Sequence, residues 1–195
     1  MNYIMRRVIL IYRKLFRVII LINIMKLSKF IDAKETYYNL DKNYIKHKTG
    51  YVILAPPASG KTTFVNKQVG KKSWIDSDIL FNKENLNINW LNSVNSIDER
   101  LSYLRADYML EQSKLYGYRI IGALFWEYKA DAVVILPLKQ HILYFSKRKD
   151  LDLSKIFEFR RIFYEHAKKY NIPIFDNIED TITYLELKKP KILKN

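Results

Sequence analysis

Lys61 and Thr62 follow a glycine, Gly60, and two aspartates, Asp76 and Asp78, come shortly after them. These residue types suit phosphoryl chemistry. An ammonium neutralises phosphate charge, and a threonine hydroxyl is a hard oxygen ligand for Mg2+. A carboxylate can hold a metal-bound water or take the proton of an attacking hydroxyl. The stretch Tyr51-Val52-Ile53-Leu54-Ala55-Pro56-Pro57-Ala58-Ser59-Gly60-Lys61-Thr62-Thr63 has the spacing G-x-x-x-x-G-K-[ST], with Ala55 in place of the first glycine. Amides from Ala58, Ser59, Gly60, Lys61, Thr62 and Thr63 are expected to form an anion nest at the positive end of a helix. Gly60 would let phosphates approach the backbone without a Cβ in the way. Pro56 and Pro57 carry no N–H, so the later amides must hold the anion. Ala55 fits only if its φ is not positive. The plainer alternative is a strand, a turn and a helix with a surface lysine.

Such residues need elements to position them, and the chain supplies an alternation of strands and helices. Tyr51–Leu54 is an apolar, partly β-branched run, and Thr63–Gly70 has helical character with a glycine stop. Residues 73–76 read as a second strand that delivers Asp76 and Asp78. Ser96-Ile97-Asp98-Glu99 has capping-box spacing and opens a long helix to Gly117, with Leu101, Leu104, Tyr108 and Leu115 as its apolar face. Strands follow at 119–125 and 132–136, then a helix at 138–146, a charged loop at 147–150, a helix at 153–169, a strand at 172–175 and a helix at 178–187. Five strands alternating with helices predict an α/β domain over residues 50–195, a five-stranded parallel sheet flanked by helices in a doubly wound arrangement. In such sheets a ligand lies beyond the carboxyl ends of the strands, so Lys61, Asp76 and Asp78 are expected to share one crevice.

At 195 residues and 49% hydrophobic content the chain can bury a core, and without cysteine it has neither disulfides nor thiolate metal sites. Of the net charge of +14, residues 1–50 carry +8 and the remainder +6. The second part is basic enough for a phosphate cleft, and nucleic-acid binding is allowed without being demanded. Residues 1–49 read as a basic, apolar, helical N-terminal extension and connector. Arg6, Arg7, Arg13, Lys14 and Arg17 gather on one side of a helical wheel, with Ile and Leu on the others. A membrane-surface contact through residues 1–25, an organelle transit segment, a helix packed on the domain and a start at Met25 all fit this pattern. A spanning helix does not, because Arg13, Lys14 and Arg17 interrupt the apolar run. The expected location is cytoplasmic, with membrane association or organelle targeting as the alternatives.

Lys61-Thr62, the helix after them and Trp74-Ile75-Asp76-Ser77-Asp78 together resemble the small P-loop kinases. These include nucleoside monophosphate kinases, shikimate- and gluconate-kinase-like enzymes and the kinase domain of polynucleotide kinases. The resemblance covers residues 50–187 as an order of elements and is specific mainly at the loop. It implies a three-layer P-loop NTPase sandwich, ATP and Mg2+ as cofactors, and transfer of the γ-phosphoryl group to a small acceptor. A nucleotide or nucleoside is the leading acceptor, and a 5′-hydroxyl polynucleotide the rival. By resemblance Lys61 holds the donor, Thr62 and Asp76 organise Mg2+, and Asp78 orients the acceptor. Lys147, Arg148 and Lys149 fall where those enzymes carry lid cations, and Arg160 and Arg161 where they place a helical arginine. Residues 82–116, with Arg100 and Arg105, would form the acceptor side. The chain departs from the family at the third strand, which lacks the usual terminal Asp; Glu127 takes that place, or Asp76 serves alone. A non-catalytic nucleotide-binding module is the reading from another class.

Overall fold

The computed structural model describes residues 40–83, 97–123, 125, 127–149 and 152–187, with only the backbone described at 81–83 and 97–102. The N-terminal basic face, the connector before Leu40, Ser96 of the capping box, the Arg100 side chain and the tail after Leu187 lie outside the described residues. The domain is α/β. Its strands are β1 (Tyr51–Leu54), β2 (Ile75–Asp76), β3 (Arg119–Gly122), β4 (Ala132–Val134) and β5 (Ile174–Phe175). They form one five-stranded sheet in the order β2-β3-β1-β4-β5, and every pairing is parallel. The helices are α1 (Lys61–Asn66), α2 (Ser77–Lys83), α3 (Ile97–Leu115), α4 (Leu138–Phe145), α5 (Ile156–Tyr170) and α6 (Ile178–Leu187), with a 3-10 turn at Leu153–Lys155 before α5.

β1 is central because its residues can be buried on both faces, as a parallel sheet covered by helices requires. Val52, Ile53 and Leu54 are fully buried. Ile53 faces the same side as Ile121 and Ala132, its register partners, and there Val65 of α1 and Ile178 and Leu185 of α6 complete the core. α3 packs on β1 and β3, and α5 on β4. Gly122, at the end of β3, is there for space. A Cβ on it would run into the side chain of Ser77 at the start of α2.

Three differences from the sequence reading have physical causes. First, α1 stops at Asn66 rather than running to Gly70. Gln68 captures the chain: its Oε1 accepts from the amides of Ser73 (2.7 Å) and Trp74 (3.0 Å), and its Nε2 donates to Val65 O and Trp74 O. That side chain folds residues 68–74 back towards β2. Second, α3 buries Ala106, Met109, Leu110 and Ser113, an i, i+3, i+4, i+7 stripe, whereas Leu115 is 69% exposed. Small Ala106 and Ser113 let the helix approach the sheet, and a count of large apolar residues missed them. Third, four strands are shorter than read: β3 and β4 leave the ladder early at the carboxyl edge, whereas β2 and β5 join it late, after residues 73–74 and 172–173, and β1 keeps its read bounds. Among the described residues, no helix is long and apolar enough to cross a membrane.

Candidate functional site

A cleft of about 520 Å³ opens beyond the carboxyl ends of β1, β4 and β5. Its floor is the loop from Ala58 through Thr63. One wall is the end of α4 with Tyr144, Lys147 and Arg148, and the other is the β5–α6 turn with Asn177 and Glu179. β3 and β4 flank β1 on opposite sides, so the chain switches direction here, where doubly wound sheets place their ligands.

The loop is shaped for its position. Gly60, which precedes α1, has φ +88°, and nothing lies within 4 Å of where its Cβ would be. Its glycine is therefore a matter of backbone conformation, with open space in front. Ala55 is fully buried, is not among the positive-φ residues, and donates its N–H to Gly122 O at 2.8 Å. The condition for an alanine at that position is met. Ala58 instead carries the strain, at φ +60°. Ser59 is buried, lines the cleft, and its Oγ meets no partner among the described residues.

Lys61 is 8% exposed, and its Nζ donates to Ala55 O (3.1 Å) and Pro56 O (2.9 Å). Burial brings its pKa down to about 8; Asp76 and Asp78 oppose that shift and Arg148 adds to it. Thr62 Oγ1 donates to Asp76 Oδ2 at 2.7 Å. Asp76 is buried, and its other oxygen accepts the amide of Asp78 at 3.2 Å, which caps α2. The Asp78 carboxyl is raised above its ordinary pKa, first by desolvation and then by Asp76, against the pull of Lys61 and Arg148. Lys61, Thr62, Asp76, Asp78 and Arg148 thus form one electrostatic group. Thr62 and Asp76 offer two hard oxygens side by side, which suits Mg2+, an ion that takes one or two protein oxygens and fills its shell with water and phosphate.

No family model and no curated protein matches this sequence.

The structure separates the two arginines assigned to the phosphates. Arg160 turns inward, donating to Leu136 O at 2.6 Å and approaching His141 Nδ1 at 3.3 Å. Arg161 faces solvent and pairs with Glu165 at 3.1 Å. Neighbouring helical residues point about 100° apart, so the pair cannot share a face. Neither lines the cleft. Glu127 is likewise displaced from the site: it is exposed and pairs with Lys169 at 2.9 Å. The carboxylate that meets Thr62 is Asp76. Arg105 is partly buried on α3 and does not line the cleft. Lys147 lines the cleft beside the Tyr144 ring, and Lys149 is exposed.

Sequence reasoning missed His141. It is fully buried, and its Nε2 lies 2.8 Å from Pro57 O. Its scarcity was the available signal, because the chain holds only three histidines and this one sits on the helix that precedes Lys147, Arg148 and Lys149.

Proposed function

We propose that the protein is an ATP- and Mg2+-dependent phosphotransferase of the small P-loop kinase type, with a nucleotide or nucleoside as acceptor. The observation that carries this reading is the Thr62–Asp76 hydrogen bond of 2.7 Å next to the buried Lys61: Lys61 and Thr62 line the cleft, whereas Asp76, behind Thr62, and Asp78 do not. A plain strand–turn–helix has no reason to place a desolvated ammonium, a hydroxyl and a buried carboxylate together below an open cavity.

In this reading the amides from Ala58 to Thr63 and the Ser59 hydroxyl bind the terminal phosphates. Lys61 donates to them and is held in place by its two loop carbonyls. Thr62 and Asp76 hold Mg2+, which when bound supplies positive charge against the charge that builds on the phosphates. Asp78, with its raised pKa, accepts a hydrogen bond or proton from the acceptor hydroxyl. Arg148 supplies a guanidinium from the α4 side. The protein contributes mainly position and preorganised charge.

The test offers labelled ATP with nucleoside monophosphates, nucleosides, small hydroxy acids and 5′-hydroxyl DNA. Transfer to one of them, reduced at least a hundredfold in Asp78→Asn with ATP affinity retained, is the expected result. Tight ATP binding with transfer to none of the four would leave a binding module in place of an enzyme.

A further inference from the structure

The loop has a weak point between Pro57 and Ala58. Pro56 and Pro57 have no N–H, so the backbone hydrogen bonds of these two residues go through their carbonyls alone, while Pro56 is buried and Ala58 packs against Phe145, Ile156 and Phe159. Residues 56–59 form a turn with proline second and a positive-φ residue third, the type II pattern. Alanine disfavours that third position, where φ is +60°. A flip of the 57–58 peptide would convert the turn to type I, in which the third residue sits near −90° and alanine is unstrained. The flip would also reverse the Pro57 carbonyl and the Ala58 N–H, which point in opposite directions across a trans peptide. Something must hold the strained form.

Two side chains hold the three carbonyls. Lys61 takes Ala55 O and Pro56 O, and His141 takes Pro57 O. Arg160 donates and cannot accept, so the His141 Nδ1 it approaches at 3.3 Å must be the acceptor. Nε2 then carries the proton and donates to Pro57 O. Arg160 is fixed in turn by Leu136 O at the end of β4. The groups whose charges act on His141 are Arg160 of α5 and Lys61 of α1, both cationic, and together with burial they keep the ring neutral.

We infer that His141 is a positioning residue for the phosphate loop: its Nε2–H, oriented by Arg160, selects the type II form of the Pro57–Ala58 peptide and so keeps the Ala58 amide turned away from α4 and available to the anion. This rests on the nucleotide reading for its consequence, though not for its geometry. A glycine at 58 favours the type II turn by itself, so Ala58→Gly should make the loop independent of His141.

The experiment compares wild type, His141→Phe, Ala58→Gly and the double variant by magnesium-ATP calorimetry and by amide relaxation dispersion at residues 58 and 59. His141→Phe should weaken magnesium-ATP at least tenfold and broaden both amides. The double variant should recover affinity to within threefold of Ala58→Gly and sharpen the amides again. His141→Gln, which keeps a donor and an acceptor, should stay near wild type. Imidazole nitrogen shifts of the wild type should show a proton on Nε2 and none on Nδ1 at pH 7, a readout that survives if His141→Phe fails to fold. A protonated Nδ1, unchanged dispersion in His141→Phe, or a double variant no sharper than His141→Phe would overturn the inference. If wild type takes up no magnesium-ATP, the nucleotide reading fails alone, and the amide and imidazole signals still decide the role of His141.

Discussion

In the proposed function Lys61 is the residue on which the chemistry turns, and its burial disfavours its charge until an anion binds beside it. Its ammonium is held by two carbonyls, and desolvation draws its pKa down to about 8. An anion that binds next to it raises that pKa again, so binding and protonation are linked. Below pH 8 the free protein already carries the proton, and affinity is flat. Above it each anion must bring a proton along, and affinity falls by up to about tenfold per pH unit. Magnesium-ATP titrations from pH 7 to 9.5 should show this fall in wild type and a flat profile in Lys61→Arg, whose guanidinium does not titrate in the range. The loop and its lysine were legible in the sequence because their geometry is local, a few backbone positions in series. The Thr62–Asp76 contact was legible only as two residues with a shared role; that they touch depends on α1 reaching β2. His141 was not legible, since its partners Pro57 and Arg160 come from distant parts of the chain.

Among the elements, the short α1 and its exit decide whether Asp76 arrives where Thr62 can reach it. The Gln68 amide replaces a turn of helix by holding Val65, Ser73 and Trp74 together. Gln68→Ala would leave the amides of Ser73 and Trp74 without that acceptor, at a cost of about 2 kcal/mol. Denaturant unfolding should show a lowered midpoint with an unchanged slope, and magnesium-ATP binding should weaken as Asp76 loosens. An unchanged midpoint would mean that residues 68–74 are held by other contacts. Strand and helix order could be read from periodicity, because each element carries its own pattern of burial. Helix faces were less legible. Arg160 and Arg161 are adjacent cations in the sequence, and only the packing of α5 shows that one points in and the other out.

At the scale of the whole molecule, a parallel sheet in the order β2-β3-β1-β4-β5 brings the ends of β1, β4 and β5 to one edge, and the cleft forms there. The fold also ties itself together through histidines. His47 lies 3.2 Å from Ser73 O, His141 2.8 Å from Pro57 O and His166 2.8 Å from Tyr128 O, and desolvation lowers all three pKa values. The unfolded chain therefore binds protons first as pH falls below about 6.5. Stability contributed by these rings is complete above that value and drains away as pH drops through the lower folded values. Melting temperature should fall from pH 7 to pH 5 with a net uptake of protons on unfolding, and His166→Gln should reduce that uptake. A melting temperature that holds or rises over this range would contradict the account.

In the proposed function the cleft above Lys61 takes the phosphates of a nucleotide. The most direct test is calorimetric titration of magnesium-ATP at pH 7 into the folded full-length protein, beside Lys61→Ala. One site per chain in the wild type, with affinity lost at least a hundredfold in Lys61→Ala while the far-UV signal is retained, is the predicted result. No heat of binding in folded wild-type protein, or equal binding in both proteins, would contradict it.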